Sequence, residues 1–292
     1  MTEVRLAKTA GFCYGVQRAV DMVNKAADEG GRKIYTYGPI VHNETVVEEL
    51  SKKGVKVIAD DKELRDLLES GELRDAAIVI RAHGAPREIF ELIEKSGLGI
   101  EIIDATCPHV KRIHDIVVER KAAGDRIAVS GDPSHPEVIG ILGQIDGDAA
   151  VLPDGDAAEA FSLPPGEKLT LVSQTTQSVT KFQDIVDILH KKRYYTTVID
   201  TICNATQRRQ SEAYELARTC DAMFVIGGRN SSNTRKLYDI CHSECKRTYL
   251  IQSITDIKGT IDHSVRCVGI TAGASTPRSI IEEVLEYVRN EF

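Results

Sequence analysis

Along the whole chain, short apolar runs alternate with stretches whose apolar positions recur every three or four residues. Runs of four or five apolar or β-branched residues read as buried strands, and the periodic stretches as helices that cover them. The runs are Lys33–Tyr37, Val55–Ile58 and Ala77–Ile80, then Arg126–Val129, Ala149–Leu152 and Leu169–Val172, then Ala222–Ile226, Arg247–Ile251 and Arg266–Ile270. Helices are predicted over Glu63–Ser70, Arg87–Lys95, Val179–His190 and Pro277–Asn290, while Pro153-Asp154-Gly155-Asp156 and Leu163-Pro164-Pro165-Gly166 read as surface connections. Strands alternating with helices in this way predict an α/β fold with mostly parallel sheets.

One device recurs within this pattern. Ile102-Ile103-Asp104-Ala105-Thr106-Cys107-Pro108 reads as a strand ending in a tight turn, with Pro108 opening a helix that carries Val110, Ile113, Ile116 and Val117. It returns at Val198-Ile199-Asp200-Thr201-Ile202-Cys203, and again where Val4-Arg5-Leu6-Ala7 leads to Gly11-Phe12-Cys13 and a helix with Val16, Ala19, Val20 and Val23 on one face. The three cysteines are 94 and 96 residues apart, a period the size of a domain. Three similar units of about four strands follow, bounded as 14–107, 108–203 and 204–292. Each cysteine falls at a helix N-terminus, where backbone N–H groups and the helix dipole favour a thiolate.

Composition narrows the chemistry. Seven cysteines scattered over 292 residues argue against a disulfide framework and for a reducing compartment, the cytoplasm. A net charge of −7 argues against nucleic-acid binding, and no apolar run is long enough to span a membrane. A small anion held by local donors fits that charge balance.

Ligands of parallel α/β folds bind at the carboxyl ends of strands, so the loops there are the candidates. They are Gly38-Pro39-Ile40-Val41-His42-Asn43, Arg81-Ala82-His83-Gly84, Ser134-His135-Pro136-Glu137, Ser173-Gln174-Thr175-Thr176, Asn230-Ser231-Ser232-Asn233 and Ala272-Gly273-Ala274-Ser275-Thr276. Counted from the cysteine of their own repeat, His42, His135 and Ser231 lie 29, 28 and 28 residues on, and His83, Thr175 and Ser275 lie 70, 68 and 72 residues on. If the repeats surround a pseudo-threefold axis, three thiolates and six polar loops meet in one cavity. Structural zinc takes four ligands at short local spacing, which this chain lacks, so three thiolates suit a soft metal or an iron–sulfur cluster with one open position. The histidines and hydroxyls around it suit a multiply charged anion such as diphosphate. No Walker loop or G-x-G-x-x-G is present. Glu137 is the carboxylate placed beside the cavity, with Glu44 in a related slot.

Cys220, Cys241, Cys245 and Cys267 lie outside the repeat and read as small apolar fillers, a minor metal site at Cys241 and Cys245 being the weaker reading. His114, His190, His242 and His263 read as core or solvated histidines, and Glu137 has a bland alternative as the cap of a helix starting near Val138.

Taken together with Ala10-Gly11-Phe12-Cys13-Tyr14-Gly15-Val16 and Asp104-Ala105-Thr106-Cys107-Pro108, these loops closely resemble the 4-hydroxy-3-methylbut-2-enyl diphosphate reductase (LytB) family over nearly the whole chain. The resemblance implies three similar α/β/α domains in pseudo-threefold arrangement around a central [4Fe–4S] cluster, with residues 1–13 packing against the third. It implies Cys13, Cys107 and Cys203 as cluster ligands, and His42, His83, His135, Ser231, Ser232, Asn233 and Ser275 as diphosphate ligands. It further implies Glu137 as proton source, Thr175 beside the substrate hydroxyl, and ferredoxin or flavodoxin as electron donor. An acidic donor is repelled by the net charge of −7 and needs a local basic patch, for which Lys111-Arg112 and Lys191-Lys192-Arg193 are the candidates. Two other classes compete with it: a three-domain hydrolase using zinc on three cysteines, and a sensor whose cluster only reports oxygen or iron.

Overall fold

The computed structural model describes residues 2–260 and 264–291; His263 lies outside them. The chain opens with β1 (Glu3–Leu6) and α1 (Tyr14–Glu29). A first sheet follows, made of β2 (Ile34–Tyr37), β3 (Lys56–Ile58), β4 (Ala77–Ile80) and β5 (Glu101–Asp104), interleaved with α2 (Glu44–Lys52), α3 (Asp61–Glu69) and α4 (Arg87–Lys95). After α5 (Pro108–Ala122) comes a second sheet of β6 (Arg126–Ser130), β7 (Ala150–Val151), β8 (Lys168–Ser173) and β9 (Tyr195–Val198), with α6 (Pro136–Leu142), α7 (Gly155–Ala160) and α8 (Val179–Lys191). After α9 (Asn204–Ala217) a third sheet contains β10 (Ala222–Ile226), β11 (Thr248–Ile251) and β12 (Cys267–Ala272), with α10 (Ser232–Glu244) and the closing α11 (Arg278–Glu291).

All three sheets are parallel and share one strand order: β3-β2-β4-β5, β7-β6-β8-β9 and β11-β10-β12-β1. The amino-terminal strand is thus the fourth strand of the last sheet, with Glu3, Val4, Arg5 and Leu6 in register with Cys267, Val268, Gly269 and Ile270. In each sheet the fourth strand leads into the cysteine: β1 into Cys13, β5 into Cys107 and β9 into Cys203. The strands β4, β10 and β12 bury every residue, because a parallel strand covered by helices on both faces has no solvent side. Successive residues serve opposite layers. Phe224 and Ile226 pack with Ile281, Val284 and Val288, whereas Met223 and Val225 pack with Ala213, Ala217 and Leu237.

Two expectations from the sequence change. The stretch read as a connection at Pro153–Asp156 starts a helix, with the Asp154 carboxylate capping the Ala157 N–H of α7 at 2.9 Å. Asp-Gly suits a turn and a helix N-cap equally, so the sequence does not separate them. The strand leading to Cys203 also lies earlier than read: β9 runs from Tyr195 to Val198, although the Ile199 N–H still donates to Leu171 O at 2.9 Å.

The chain divides into two compact units, one of residues 1–17, 42–46 and 203–292, the other of residues 18–41 and 47–202. The first holds the third sheet; the second holds the other two.

Candidate functional site

In the larger unit, Cys107 is the N-cap of α5, with Pro108 at the first helical position. Proline lacks an N–H that would go unused there, so the turn costs nothing and leaves the sulfur, partly exposed, at the positive end of the helix. The turn is fixed from three sides. The Cys107 N–H donates to Ala82 O at 2.9 Å, the Thr106 N–H to the Asp104 carboxylate at 2.9 Å, and Arg18 of α1 to Thr106 O at 3.2 Å. Burial raises the Asp104 pKa, but the bonds from Lys111 and Thr106 outweigh it and hold the carboxyl below its usual range.

His83 follows β4 and His135 follows β6, and their rings meet edge to face with centroids 5.3 Å apart. The turn after His83 needs a left-handed residue at Gly84, φ +78°, where a Cβ would stand 2.9 Å from the His114 ring. His114 itself is pushed down by burial to a pKa of about 4 and is neutral at pH 7. The His83 loop is held against α6: the Gln144 side chain donates to Ala85 O at 3.0 Å and the Arg87 N–H to Gly143 O at 3.4 Å.

His135 caps α6, its Nδ1 accepting from the Glu137 N–H at 3.1 Å. An amide can only donate, so Nδ1 is the acceptor and a neutral ring carries its proton on Nε2. Glu137 therefore lies inside the first turn of α6 and does not cap it. Its carboxylate, 1% exposed, accepts from the Thr175 N–H at 2.6 Å and from the Thr175 hydroxyl at 2.8 Å. Thr175 follows β8, whose loop is pinned by Gln177 donating to Ser130 Oγ at 3.0 Å and Asp132 N–H donating to Gln174 Oε1 at 3.1 Å.

The smaller unit builds a second cluster at the carboxyl ends of β1, β10 and β12. The Cys13 N–H donates to Ala274 O at 3.2 Å, which sets the cysteine beside the loop that carries Ser275. The Ser275 hydroxyl donates to His42 O at 3.3 Å, and a Cβ on Gly228 would stand 2.5 Å from that same carbonyl, so only glycine lets the loops approach. Asn43 caps α2, accepting from the Val46 N–H at 3.2 Å. Ser231 is the N-cap of α10 and accepts from the Thr234 N–H at 3.3 Å. Ser232 and Asn233 form the first turn, and the buried Asn233 side-chain amide N–H₂ has no hydrogen-bond partner among the described residues. A helix N-terminus with spare donors suits an anion. Glu44 is exposed and accepts from Gln252 at 2.9 Å, an environment unlike that of Glu137.

Cys203 is the N-cap of α9, and two turns along this helix stands a residue that sequence reasoning missed. Arg209 is 4% exposed, donates to Gly11 O and forms no ion pair with a carboxylate among the described residues. The nearby Glu212 carboxylate is taken up by the N–H groups of Lys8 and Thr9 at 2.7 and 2.9 Å. Burial lowers the Arg209 pKa, and the negative charges of Cys13 and Cys203, when ionised, raise it again. A buried guanidinium near two cysteines suits the charge of thiolates. Its only trace in the sequence is an arginine six residues after Cys203.

Other candidates lie elsewhere. Lys111 pairs with Asp104 at 2.6 Å, and the Lys192 ammonium binds carbonyls at the C-terminal end of α7, Ala158 O at 3.1 Å and Phe161 O at 2.8 Å. Arg112, Lys191 and Arg193 of the same two stretches are exposed. Cys241 is buried against Ala213 O and Cys245 against Asp221 O. His190 is exposed, and His242 stacks on Tyr238 with centroids 5.5 Å apart.

The family model described as LytB protein matches residues 4–289. The 4-hydroxy-3-methylbut-2-enyl diphosphate reductase of Thermoanaerobacter sp. (strain X514) is 41% identical over 288 residues, covering 98% of this chain and 96% of the relative. The protein of the same name from Geotalea uraniireducens (strain Rf4) is 44% identical over 287 residues, covering 98% and 96%. Among solved structures, the E-1-hydroxy-2-methyl-but-2-enyl-4-diphosphate reductase from Plasmodium falciparum matches with a TM-score of 0.90 at 29% identity, over 99% of this chain and 87% of that one. A second, (E)-4-hydroxy-3-methyl-but-2-enyl diphosphate reductase, the terminal enzyme of the non-mevalonate pathway, matches with a TM-score of 0.68 at 36% identity, over 99% and 100%. With a family match that runs almost from end to end and relatives this similar over nearly their whole length, the chain belongs to the LytB protein family.

Proposed function

We propose that this chain is a 4-hydroxy-3-methylbut-2-enyl diphosphate reductase. It removes the substrate hydroxyl reductively to give isopentenyl and dimethylallyl diphosphate, the last step of the non-mevalonate route. Residues 14–107, 108–203 and 204–292, the last joined by 1–13, form three domains around a pseudo-threefold axis, and Cys13, Cys107 and Cys203 together hold one [4Fe–4S] cluster. The observation that carries this reading is the same strand-cysteine-helix unit at the fourth strand of three identically ordered sheets, in a chain of the LytB family.

The donor set fits the group. Thiolates are its usual ligands, each cysteine precedes a helix, none is in a disulfide, and Arg209 supplies positive charge beside two of them. When bound, such a cluster supplies single electrons and, with three protein ligands, an open iron for a substrate oxygen.

The protein's own residues do the rest. His42, His83 and His135 bind the diphosphate with Ser231, Ser232, Asn233 and Ser275, at least one proton being fixed on His135 Nε2 and the dipole of α10 adding attraction. Glu137 and Thr175 hold the proton for the departing hydroxyl. In the ionised state Glu137 accepts the Thr175 hydroxyl; once protonated on Oε2 it donates to that hydroxyl, which then turns its own hydrogen toward the substrate. The balance is two electrons and two protons in, and one water and one new C–H bond out. Electrons arrive singly from ferredoxin or flavodoxin, consistent with the absence of a dinucleotide motif. The reaction belongs to the cytoplasm; among the described residues no helix is long and apolar enough to cross a membrane.

Anaerobically prepared protein given substrate and a reduced one-electron dye should form both products, and reduced nicotinamide dinucleotide alone should form neither. Absence of product from iron-loaded protein would overturn the reading. Phosphate release by a zinc-loaded form would favour the hydrolase instead.

Two substitutions probe the surroundings. His42→Ala and His83→Ala should each weaken diphosphate binding by roughly ten- to a hundredfold, the worth of a charge-assisted hydrogen bond of about 1.5–3 kcal/mol, while leaving the cluster spectrum unchanged. His135 is a poorer probe, because its removal also uncaps α6. Arg209→Gln should move the midpoint potential of the cluster to more negative values, since reduction adds negative charge that the guanidinium stabilises. Arg209→Lys should restore part of that shift. Equal potentials in all three proteins would remove Arg209 from its role.

A further inference from the structure

Cys220 lies between α9 and β10, and Cys267 opens β12. Neither belongs to the candidate site, yet their sulfurs touch: the Cys267 thiol donates to Cys220 Sγ at 3.2 Å. The backbone holds them in place. The Asp221 N–H donates to Cys267 O at 2.9 Å, and the Asp221 carboxylate accepts from the N–H groups of Arg266 and Cys267, each at 2.9 Å. Space for the Cys220 sulfur comes from Gly269, where a Cβ would stand 3.1 Å from it. Along β12, Cys267 and Gly269 face the same side, and their register partners Glu3 and Arg5 share a side of β1. The Arg5 guanidinium is close enough to both thiols for their negative charge to stabilise it.

We propose that Cys220 and Cys267 form a redox-active dithiol, a modification site that closes to a disulfide by exchange with a small-molecule disulfide such as oxidised glutathione. Cys220 is the more exposed of the two. Its thiolate attacks one sulfur of the small disulfide and releases one small thiolate. The Cys267 thiolate then displaces the second. Two protein thiols are oxidised, the small disulfide is reduced to two thiols, and the two protein protons end on those products. Closure needs the sulfurs to approach by about 1.2 Å to reach the ~2.05 Å bond, a movement within side-chain rotation. Burial, together with the contact from Cys267, pushes the Cys220 thiol up to about 12. Exchange is therefore slow at neutral pH and quickens about tenfold per pH unit. Cys241 and Cys245, whose sulfurs rest on backbone carbonyls, stay reduced. The bridge would close a loop across the amino ends of β10 and β12, the opposite end from the candidate site.

The test treats iron-loaded protein with oxidised glutathione without oxygen, blocks remaining thiols, digests and weighs the peptides. A peptide pair joined through Cys220 and Cys267, two hydrogens lighter than the free thiols, is expected. The same protein should unfold at a higher temperature, and dithiothreitol should reverse the change. In Cys267→Ser, Cys220 should stop at the mixed disulfide and the thermal shift should vanish; Cys220→Ser should form no bridge. Recovery of both cysteines as blocked thiols at pH 9, or of a stable glutathione adduct on Cys220 in the unmutated protein, would overturn the proposal.

Discussion

Glu137→Gln is expected to keep its cluster and bind substrate almost normally, yet turn over at least ~100-fold more slowly, the usual scale for loss of a general acid. Hydroxide leaves poorly, so C–O cleavage needs a proton delivered to the oxygen. Among the described residues, Glu137 is the fully buried carboxylate, and both of its oxygens are held by Thr175. Glutamine preserves the shape and still accepts from the Thr175 N–H through its amide oxygen. Its N–H₂ can donate to the Thr175 hydroxyl, but it cannot release a proton. Fold and affinity should therefore survive, because the α6 cap is made by His135 and not by residue 137. Thr175→Val should show the same phenotype more weakly, since the carboxyl remains while the hydroxyl proposed to relay its proton is gone. Near wild-type turnover in Glu137→Gln, measured in single-turnover assays with pre-reduced protein, would move the acid elsewhere.

The second large effect is loss of the cluster itself. Replacing Cys13, Cys107 or Cys203 by serine should abolish or cripple iron binding, because in the proposed centre each supplies one of three protein ligands and a serine oxygen is a poor match for soft iron. Serine at Cys220, Cys241, Cys245 or Cys267 should leave iron content unchanged. The contrast follows from place in the fold. The first three follow the fourth strand of a sheet and cap or precede a helix, whereas Cys241 and Cys245 line the core beside Ala213 and Leu237. Iron and sulfide analysis of the seven variants decides it. Loss of iron from any of the last four would break the assignment.

The central strands were legible because a parallel strand buried on both faces reads as a continuous apolar run. Ala77–Ile80 and Ala222–Ile226 fall at the positions expected. Helix α2 was not predicted; it begins at Glu44 and is capped by Asn43, within a motif already read for its histidine. The Pro153–Asp156 stretch failed for a related reason, since the same residue types cap helices and make turns. Candidate site residues were visible through their spacing from the repeated cysteines, but their partners were not. That Thr175 binds Glu137 is a contact between residues 38 apart, and Arg209 reaches Gly11 across 198. Such contacts depend on how sheets and loops fold together, which periodicity does not encode. The meeting of Cys220 and Cys267 was hidden in the same way: each alone looks like a small apolar filler.

The most direct measurement is the iron and sulfide content of anaerobically purified protein, combined with its Mössbauer spectrum before and after substrate is added. The account predicts about four irons and matching sulfide per chain, with one iron alone changing its spectrum when the substrate hydroxyl arrives. A colourless preparation that carries zinc and retains full turnover would contradict it, and so would a four-iron protein in which no iron responds to substrate.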